Sequence, residues 1–316
     1  MYSDIILDKY QVRKTKKQKK AFFSFVRDEC ENHGYKCEIE KGSLGSQNIV
    51  IGEPEKAKVI YTAHYDTCAV LPFPNFITPK NFLLYLLYQV VICIPLIAII
   101  GCGNYIVSRF VPDDAIFTEF VLRKAVVFGA LLVFLWMLIF GIANKHTAND
   151  NTSGVVTVME LMAKMPSELK ENAAYILFDY EEVGLIGSSS YASKHKEIAK
   201  NTLIVNFDCV SDGKTILFAV KKAASAELPL LNDSFKSDDI FSVDIADKNV
   251  FYPSDQVSFK KGIGVASLKK TKKGILYMDR IHTRHDTVFQ KENIDFFIYL
   301  ATSFYIWRPY YEWFCK

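Results

Sequence analysis

The sequence predicts an α/β fold with a largely parallel sheet covered by helices, interrupted by two membrane-spanning helices. Apolar strand-like runs alternate with helical runs on both sides of the interruption, which is the pattern of a parallel sheet. The interruption consists of two long runs that contain no charged side chain. Polar side chains of the metal-binding types follow several strand-like runs, at the sheet edge where open α/β folds keep their sites.

The soluble elements are predicted from local patterns. Phenylalanines on a Lys- and Glu-rich background predict an amphipathic helix over residues 15–33, which Gly34 caps. Its basic start at residues 14–20 is expected to be a solvated face, with contact to an anionic membrane surface as the alternative. Strands are predicted at residues 35–39, 48–51, 59–63, 173–179 and 202–208, and further helices at residues 154–165, 188–198 and 294–304.

Composition excludes several classes of protein. The chain has 316 residues, of which 50% are apolar and 23% charged, so it is neither disordered nor collagen-like. Its 38 basic and 35 acidic residues nearly balance, which argues against nucleic-acid binding as the main activity. The seven cysteines are odd in number and scattered, without a CxxC pair, so we expect a reducing compartment and no disulfide framework.

Two uncharged runs, residues 83–107 and 125–143, exceed the length of about 18 residues that is typical of a membrane-spanning helix. We predict a transmembrane hairpin, and the alternative is a pair of buried core helices. A hairpin returns the chain to the same side of the membrane. Residues 1–72 and 145–316 are therefore predicted to form one discontinuous domain, with residues 73–144 as the hairpin. An aromatic tail at residues 304–314 is predicted to be an interfacial belt or the buried end of the last helix.

The membrane side is predicted from two observations that conflict. Arg109, Arg123 and Lys124 between the two runs outnumber Lys80 and Lys145 outside them, which favours a cytoplasmic hairpin loop. However, the first residues lack the apolar core of a signal peptide, and the first twenty carry seven Lys or Arg. We give the second observation more weight. It predicts an integral membrane protein whose large domain lies in the cytosol.

Five places carry residues that can bind metal ions. They are His64 with Asp66, the loop 149–154, Glu181 with Glu182, Asp208, and the segment 282–287. A lone Asp after a strand is usually a cap or turn residue. Together, however, these places supply histidine nitrogens and a surplus of carboxylates, a donor set that suits two zinc ions. His64 and Asp66 share one face of an extended segment, so Asp66 can orient the imidazole.

In their order and local sequence these residues resemble the zinc exopeptidases of the M28 family, which include bacterial leucyl aminopeptidases, glutamate carboxypeptidase and glutaminyl cyclase. The family motifs stand here as H-Y-D at 64–66, N-D-N-T-S-G at 149–154, E-E-V-G-L-I-G-S at 181–188, Asp208, and H-T-R-H-D-T at 282–287. The resemblance covers nearly all of residues 10–70 and 145–305. The resemblance implies the zinc-exopeptidase fold, with a mostly parallel mixed sheet flanked by helices.

The resemblance also implies roles for the individual residues. His64 and Asp208 bind one zinc ion, Glu182 and His282 bind the other, Asp150 bridges the two ions, Glu181 is the general base, and Asp66 and Asp286 support the ligands, with Asp66 counted among the catalytic residues. The family register favours His282 over His285 as the ligand. The family often has His where Gln256 stands, so a role for that position stays open.

The function implied is a membrane-anchored di-zinc aminopeptidase. The two ions polarise the scissile carbonyl and supply a bridging hydroxide, while Glu181 transfers the proton. Arg280 and Arg284 keep a carboxypeptidase open as an alternative, because they offer a cationic pocket. A non-catalytic membrane scaffold or receptor is a further alternative, which the presence of Glu181 disfavours. A glutaminyl cyclase normally works with one zinc, so the complete ligand set argues against it. Cobalt or manganese in place of zinc, and a homo-oligomer, stay open.

The hairpin is inserted between two metal ligands, because His64 and Asp150 lie 86 residues apart, far more than is typical of the family. We therefore expect the site to lie close to the bilayer surface. One hypothesis is that the substrates are apolar or membrane-derived peptides. The alternative is that the hairpin only anchors the protein.

Overall fold

A nine-stranded mixed sheet organises the fold in the computed structural model, which describes residues 1–298. The strands are β1 (Cys37–Lys41), β2 (Gln47–Ile51), β3 (Val59–His64), β4 (Ala173–Phe178), β5 (Leu203–Phe207), β6 (Thr215–Val220), β7 (Ser242–Ala246), β8 (Lys261–Lys270) and β9 (Leu276–Tyr277). Their order is β1-β2-β4-β3-β5-β8-β6-β7, and β9 pairs with β8. The central strands β4, β3, β5 and β8 are parallel to one another, and antiparallel pairs flank them.

Helices cover both faces of this sheet. They are α1 (Ser3–Lys9), α2 (Lys16–Asn32), α5 (Gly154–Lys164), α6 (Ile186–Lys194), α7 (Lys196–Asn201) and α8 (Leu228–Ser234), together with the helical residues 291–298. Two further helices, α3 (Phe82–Phe110) and α4 (Ile116–Phe140), pack mainly against each other. Alternate residues of β3 enter different cores, because successive side chains of a strand point to opposite faces. Tyr61 packs in the core beneath α2 and α5, whereas Ile60 packs with Tyr191 and Ile198 on the other face. The predicted α/β architecture, a mixed sheet flanked by helices, is confirmed.

The two apolar helices α3 and α4 contain 29 and 25 residues, and neither is buried against the rest of the described chain. By length and composition, both can cross a membrane. Helix α4 begins at Ile116, nine residues before the predicted run. The ion pair between Glu119 and Arg123, 2.7 Å apart at i and i+4, stabilises this added helical segment. The polar loop between the helices is therefore shorter than the sequence indicated.

A segment that we call the strap, residues 68–79, connects β3 to α3. Its start lies beside the chain that leaves α4, because Ala69 forms a bridge with Ala143 and the Val70 N–H donates to the Ile142 carbonyl at 2.8 Å. The two ends of the hairpin are thus paired to each other. The chain therefore leaves the α/β part of the fold and returns to it at neighbouring points, and the insertion does not separate the strands of the sheet.

The structure differs from the prediction at the first strand, which is Cys37–Lys41 rather than residues 35–39, and at two further helices. The helix predicted over 188–198 is divided into α6 and α7 at His195, whose non-helical backbone places its Nε2 2.9 Å from Glu40. The closing helix begins at residue 291, earlier than predicted. The rest of that predicted helix, residues 299–304, and the aromatic tail lie outside the described residues.

The basic start of α2 is not wholly a solvated face. Lys19 is only 8% exposed and forms a buried ion pair with Asp179, at the end of β4. Its ammonium also lies 4.2 Å from the centre of the Tyr180 ring. The expectation of a solvated run is therefore wrong at this position. Lys19 joins α2 to the loop that carries Glu181 and Glu182.

Replacing Lys19 with Met should destabilise the protein by about 3 kcal/mol, because it leaves the buried Asp179 carboxylate without its partner. The neighbouring Lys20 is exposed on the same helix, so Lys20→Met should change the free energy of unfolding by less than about 0.5 kcal/mol. Urea unfolding of the detergent-solubilised variants measures both values. Equal losses in the two variants would contradict the buried-pair interpretation.

Candidate metal centre

The parallel strands bring the candidate ligands to one edge of the sheet. His64 is the last residue of β3, Glu181 and Glu182 follow β4, and Asp208 follows β5. Because β3 is parallel to both β4 and β5, their carboxyl ends meet at the same edge. Two loops complete the cluster from above, one with Asp150 before α5 and one with His282 after β9.

Asp150 lies between the two histidines. Its Oδ1 is 3.2 Å from the His64 Nε2, and its Oδ2 is 3.1 Å from the His282 Nε2. Each carboxylate oxygen thus faces a different imidazole. This is the arrangement that one carboxylate needs to contact two neighbouring cations.

The remaining donors divide between these two positions. Asp208 Oδ1 lies 3.5 Å from the His64 Nε2, and Glu182 Oε2 lies 3.2 Å from the His282 Nε2. Asp208 Oδ1 and Glu182 Oε1 are buried and accept no hydrogen bond from the described residues. Buried carboxylate oxygens without donors are costly unless a cation is bound. The residues therefore fit two metal ions, one beside His64 and the other beside His282.

Two further carboxylates hold the ligand loops by their backbones. Asp286 accepts the N–H groups of Asn149 and Asp150, each at 2.9 Å. Asp66 accepts those of Glu181 at 3.1 Å and Glu182 at 3.3 Å. Asp286 therefore positions the loop of Asp150, and Asp66 positions the loop of Glu181 and Glu182.

Asp66 also contacts His64, but mainly through its backbone. Its carbonyl oxygen lies 3.1 Å from the His64 Nδ1, whereas its carboxylate Oδ1 lies 3.6 Å away. From the sequence, the carboxylate was expected to orient the ring. In the structure the carboxylate is turned toward the Glu181 loop, and the carbonyl is the closer partner of the imidazole.

Glu181 has the electrostatic surroundings of a proton acceptor. Burial raises the pKa of Glu181 well above its ordinary value; His64 opposes this shift, and the negative charges of Asp208 and Glu182 add to it. A carboxyl group with a raised pKa can exchange a proton near neutral pH. Its sequence neighbour Glu182 instead faces His282, so the two adjacent glutamates have different surroundings.

The candidate ligands border a cavity of about 150 Å³. Its lining residues are His64, Asn75, Ile77, Asp150, Glu181, Glu182, Asp208, Cys209, Tyr252, Pro253, Ile281 and His282. Asn75 and Ile77 belong to the strap, so the segment that leads to α3 forms part of the cavity wall.

The strap is bonded to the loop that carries His282. The Leu71 N–H donates to the His282 carbonyl at 2.7 Å, and the Asn75 N–H donates to the Ile281 carbonyl at 3.3 Å. His282 has a left-handed backbone with φ of 64°, which costs a non-glycine residue about 1 kcal/mol or more. These bonds help to hold that conformation.

Three other positions considered from the sequence lie apart from the cluster. His285 is exposed, whereas His282 faces Asp150. Gln256 is buried and bonded to the Tyr252 carbonyl and to Asn206, which are contacts within the fold. Arg280 lies 3.6 Å from Asp212 and does not line the cavity.

Sequence reasoning missed Arg13, which is fully buried behind the site. Its Nε donates to the Tyr65 carbonyl at 2.5 Å, and its terminal nitrogens donate to Thr152 Oγ1 at 3.3 Å. It thereby joins the His64 segment to the Asp150 loop. Burial lowers the pKa of Arg13 to about 10, and the charges of Asp66 and Asp150 oppose that shift. No signal in the sequence distinguishes it from the basic residues that follow it.

The fold and the donor set are those of a metallopeptidase. The model of Peptidase family M28 matches residues 139–297, just over half of the chain, and the chain belongs to this family. No curated protein sequence matches it with significance.

Solved structures share the fold at low sequence identity. The LapA aminopeptidase of Legionella pneumophila aligns with a TM-score of 0.54 and 15% identity, covering 96% of this chain and 69% of that one. The glutaminyl cyclase of Porphyromonas gingivalis aligns with a TM-score of 0.57 and 13% identity, covering 96% and 94%. A leucine aminopeptidase precursor from Bacteroides thetaiotaomicron gives 0.54 and 14%, covering 96% and 93%. These matches establish the fold, and they do not distinguish a peptidase from a cyclase.

In the presence of a chelator that removes metal ions, the protein should lose stability as the pH rises. Burial raises the pKa of Glu182 and of Asp286 to about 8, and Glu182 and Asp150 raise that of His282 to about 9 although its burial opposes them. Between the ordinary and the raised values, the folded state binds more protons than the unfolded state, so raising the pH favours unfolding.

The measurement is the thermal unfolding midpoint with excess chelator, at about pH 6 and about pH 9. We expect a lower midpoint at the higher pH. Added zinc should restore more stability there, because cations replace the missing protons. If the metal-free protein had the same unfolding midpoint at both pH values, the raised pKa values of Glu182, His282 and Asp286 would be contradicted.

Proposed function

We propose that this protein is a di-zinc aminopeptidase, which hydrolyses the peptide bond after the N-terminal residue of its substrate. The observation that carries the proposal is the position of Asp150, with one carboxylate oxygen toward each of two histidines and Glu181 beside them. His64, Asp150 and Asp208 would hold one ion, and Asp150, Glu182 and His282 the other. When bound, zinc polarises the scissile carbonyl and lowers the pKa of water.

The protein's own groups supply the proton transfer. Glu181 lines the cavity beside the metal donors, where its carboxylate can take a proton from water and return it to the leaving amine. Asp66 accepts the N–H of Glu181, which fixes the backbone of this residue at the cavity. A binding scaffold does not need such a group beside the metal donors.

The cavity wall offers no cationic side chain to a substrate carboxylate. Four carboxylates line it, and no Lys or Arg of the described residues does. Two bound zinc ions would balance the four negative charges, so it is the lack of a cationic side chain, rather than a net negative charge, that disfavours recognition of a terminal carboxylate. Arg280 is paired with Asp212 and Arg284 is exposed, so the cationic pocket of a carboxypeptidase lacks support.

We further propose that the hairpin anchors the protein in a bilayer, with the peptidase part in the cytosol, and that the substrates are apolar or membrane-derived peptides. The strap supports a membrane-derived substrate, because it connects α3 to the loop that carries His282 and so brings the cavity close to the start of the hairpin. Ile77, Ile281 and Pro253 give the cavity an apolar part beside its carboxylates. An apolar first side chain of the substrate would contact these residues.

Glu181→Gln should abolish peptide hydrolysis while leaving zinc binding nearly unchanged. Loss of a general base typically costs a factor of about 100 to 10,000 in turnover. The experiment is to incubate the detergent-purified protein with a mixed peptide library, to identify the residues released, and to quantify bound zinc. His285→Gln is the matched control, because this exposed histidine should keep the activity of the unmodified protein.

Other products would identify another enzyme. Release of C-terminal residues would overturn the aminopeptidase in favour of a carboxypeptidase. Formation of pyroglutamate from N-terminal glutamine, without peptide hydrolysis, would identify a cyclase. Full zinc content without turnover of any peptide by the unmodified protein would favour the scaffold.

Apolar first residues should be preferred, and Ile77 should contribute to that preference. Ile77→Thr should lower the ratio of kcat/KM for Leu-initiated over Ser-initiated peptides by about tenfold, since it removes an apolar contact from the cavity wall. Val70→Thr on the same strap does not alter a lining residue and serves as the control. Equal kcat/KM for the two peptides with the unmodified enzyme would remove the support for an apolar substrate.

A further inference from the structure

Cys68 is a buried thiol within the metal centre that the roles described above do not use. It is 3% exposed and lies on the strap, two residues after Asp66. Its Sγ forms a group with one ligand atom each of Glu182 and His282, and these three atoms all lie within 4.8 Å of one another. The thiol is therefore beside the donors of one particular ion, the one at His282.

Hydrogen bonds hold this thiol in position. The Cys68 carbonyl accepts the Asn144 N–H at 3.1 Å, and the Asn144 Nδ2 donates both to the Cys68 Sγ at 3.8 Å and to the Thr283 carbonyl at 2.9 Å. Asn144 lies in the segment between α4 and the loop of Asp150. It thus connects Cys68 to the residue that follows His282, so that thiol and imidazole are fixed relative to each other.

A second, independent observation indicates a missing partner in the same group. The Glu182 side chain is only 6% exposed, and its Oε1 accepts no hydrogen bond from the described residues. Zinc lies about 2.3 Å from sulfur and about 2.1 Å from nitrogen, so the donors of one tetrahedral ion are about 3.5 Å apart. Three donor atoms within 4.8 Å reach this spacing with small side-chain movements.

We propose that the Cys68 thiolate is a direct ligand of the ion held by Glu182 and His282. The inference rests on the two-metal site of the proposed function. On binding, a metal–sulfur bond forms and the thiol proton leaves to solvent. The two ions then differ in chemistry, since the ion at His64 and Asp208 has nitrogen and oxygen donors while its neighbour also has sulfur. The sulfur-containing position should select zinc or cobalt over manganese.

Cobalt(II) provides the test, because a thiolate bonded to cobalt absorbs in the near ultraviolet by charge transfer, whereas nitrogen and oxygen donors lack that band. The detergent-purified full chain is freed of metal and titrated with cobalt. We expect the band in the unmodified protein and its loss in Cys68→Ser, which should bind the affected ion at least about tenfold more weakly. Cys209→Ser, at the other thiol of the cavity, is the matched control and should retain the band.

The outcomes separate this inference from the proposed function. Two bound cobalt ions and active peptide hydrolysis without the band would overturn the role of Cys68 alone, as would a band that survives in Cys68→Ser. Failure of the unmodified protein to bind cobalt or zinc would overturn both. If Cys68→Ser does not fold, zinc-edge X-ray absorption of Cys209→Ser decides the question: a sulfur shell at about 2.3 Å in this variant supports the inference, and its absence contradicts it.

Discussion

The site depends on the hydrogen bonds that the Asp66 and Asp286 carboxylates accept from the backbones of two loops. Each carboxylate accepts two successive N–H groups of a loop that carries candidate ligands. Such loops lack the backbone hydrogen bonds that fix a strand or a helix. Six carboxylate or imidazole side chains lie together at one edge of the sheet, and repulsion among the carboxylates would displace these loops if their backbones were not held. Arg13 adds a positive charge behind the cluster and joins two of its segments. The preorganisation of the centre thus comes from buried polar groups that need not touch a metal or a substrate themselves.

The sequence predicted what repeats in parallel-sheet folds, and it missed what depends on distant contacts. An apolar run followed by a polar side chain is a local signal, and it located His64, Asp208 and the paired glutamates because carboxyl ends of parallel strands meet. Lys19 and Arg13 carry no such signal. Their burial results from the packing of α2 and the preceding segment against loops more than 100 residues away in the chain. The early start of α4 was missed because its charged first turns were read as a loop, although Glu119 and Arg123 are spaced to pair on a helix.

The fold alone does not decide between related chemistries. Aminopeptidases and glutaminyl cyclases share this architecture at similar TM-scores, so function has to be argued from the site. Here the donor groups around Asp150, which fit two ions, and Glu181 beside them bear on that choice. The insertion affects the site in another way. Because the strap is at once the cavity wall and the connection to α3, changes in the hairpin and changes in the site are not independent.

The length of α3 gives this connection a physical consequence. Its 29 residues extend about 44 Å, whereas the hydrocarbon core of a bilayer is about 30 Å thick, so a membrane-embedded α3 has to tilt or leave about two turns outside the core. The tilt depends on the thickness of the surrounding lipid. Since Leu71 and Asn75 of the strap donate hydrogen bonds to the carbonyls of His282 and Ile281, a different tilt would act on the backbone of the loop that carries His282. In the proposed membrane-anchored enzyme, the thickness of the lipid would therefore be a mechanical load on the geometry of the candidate metal centre.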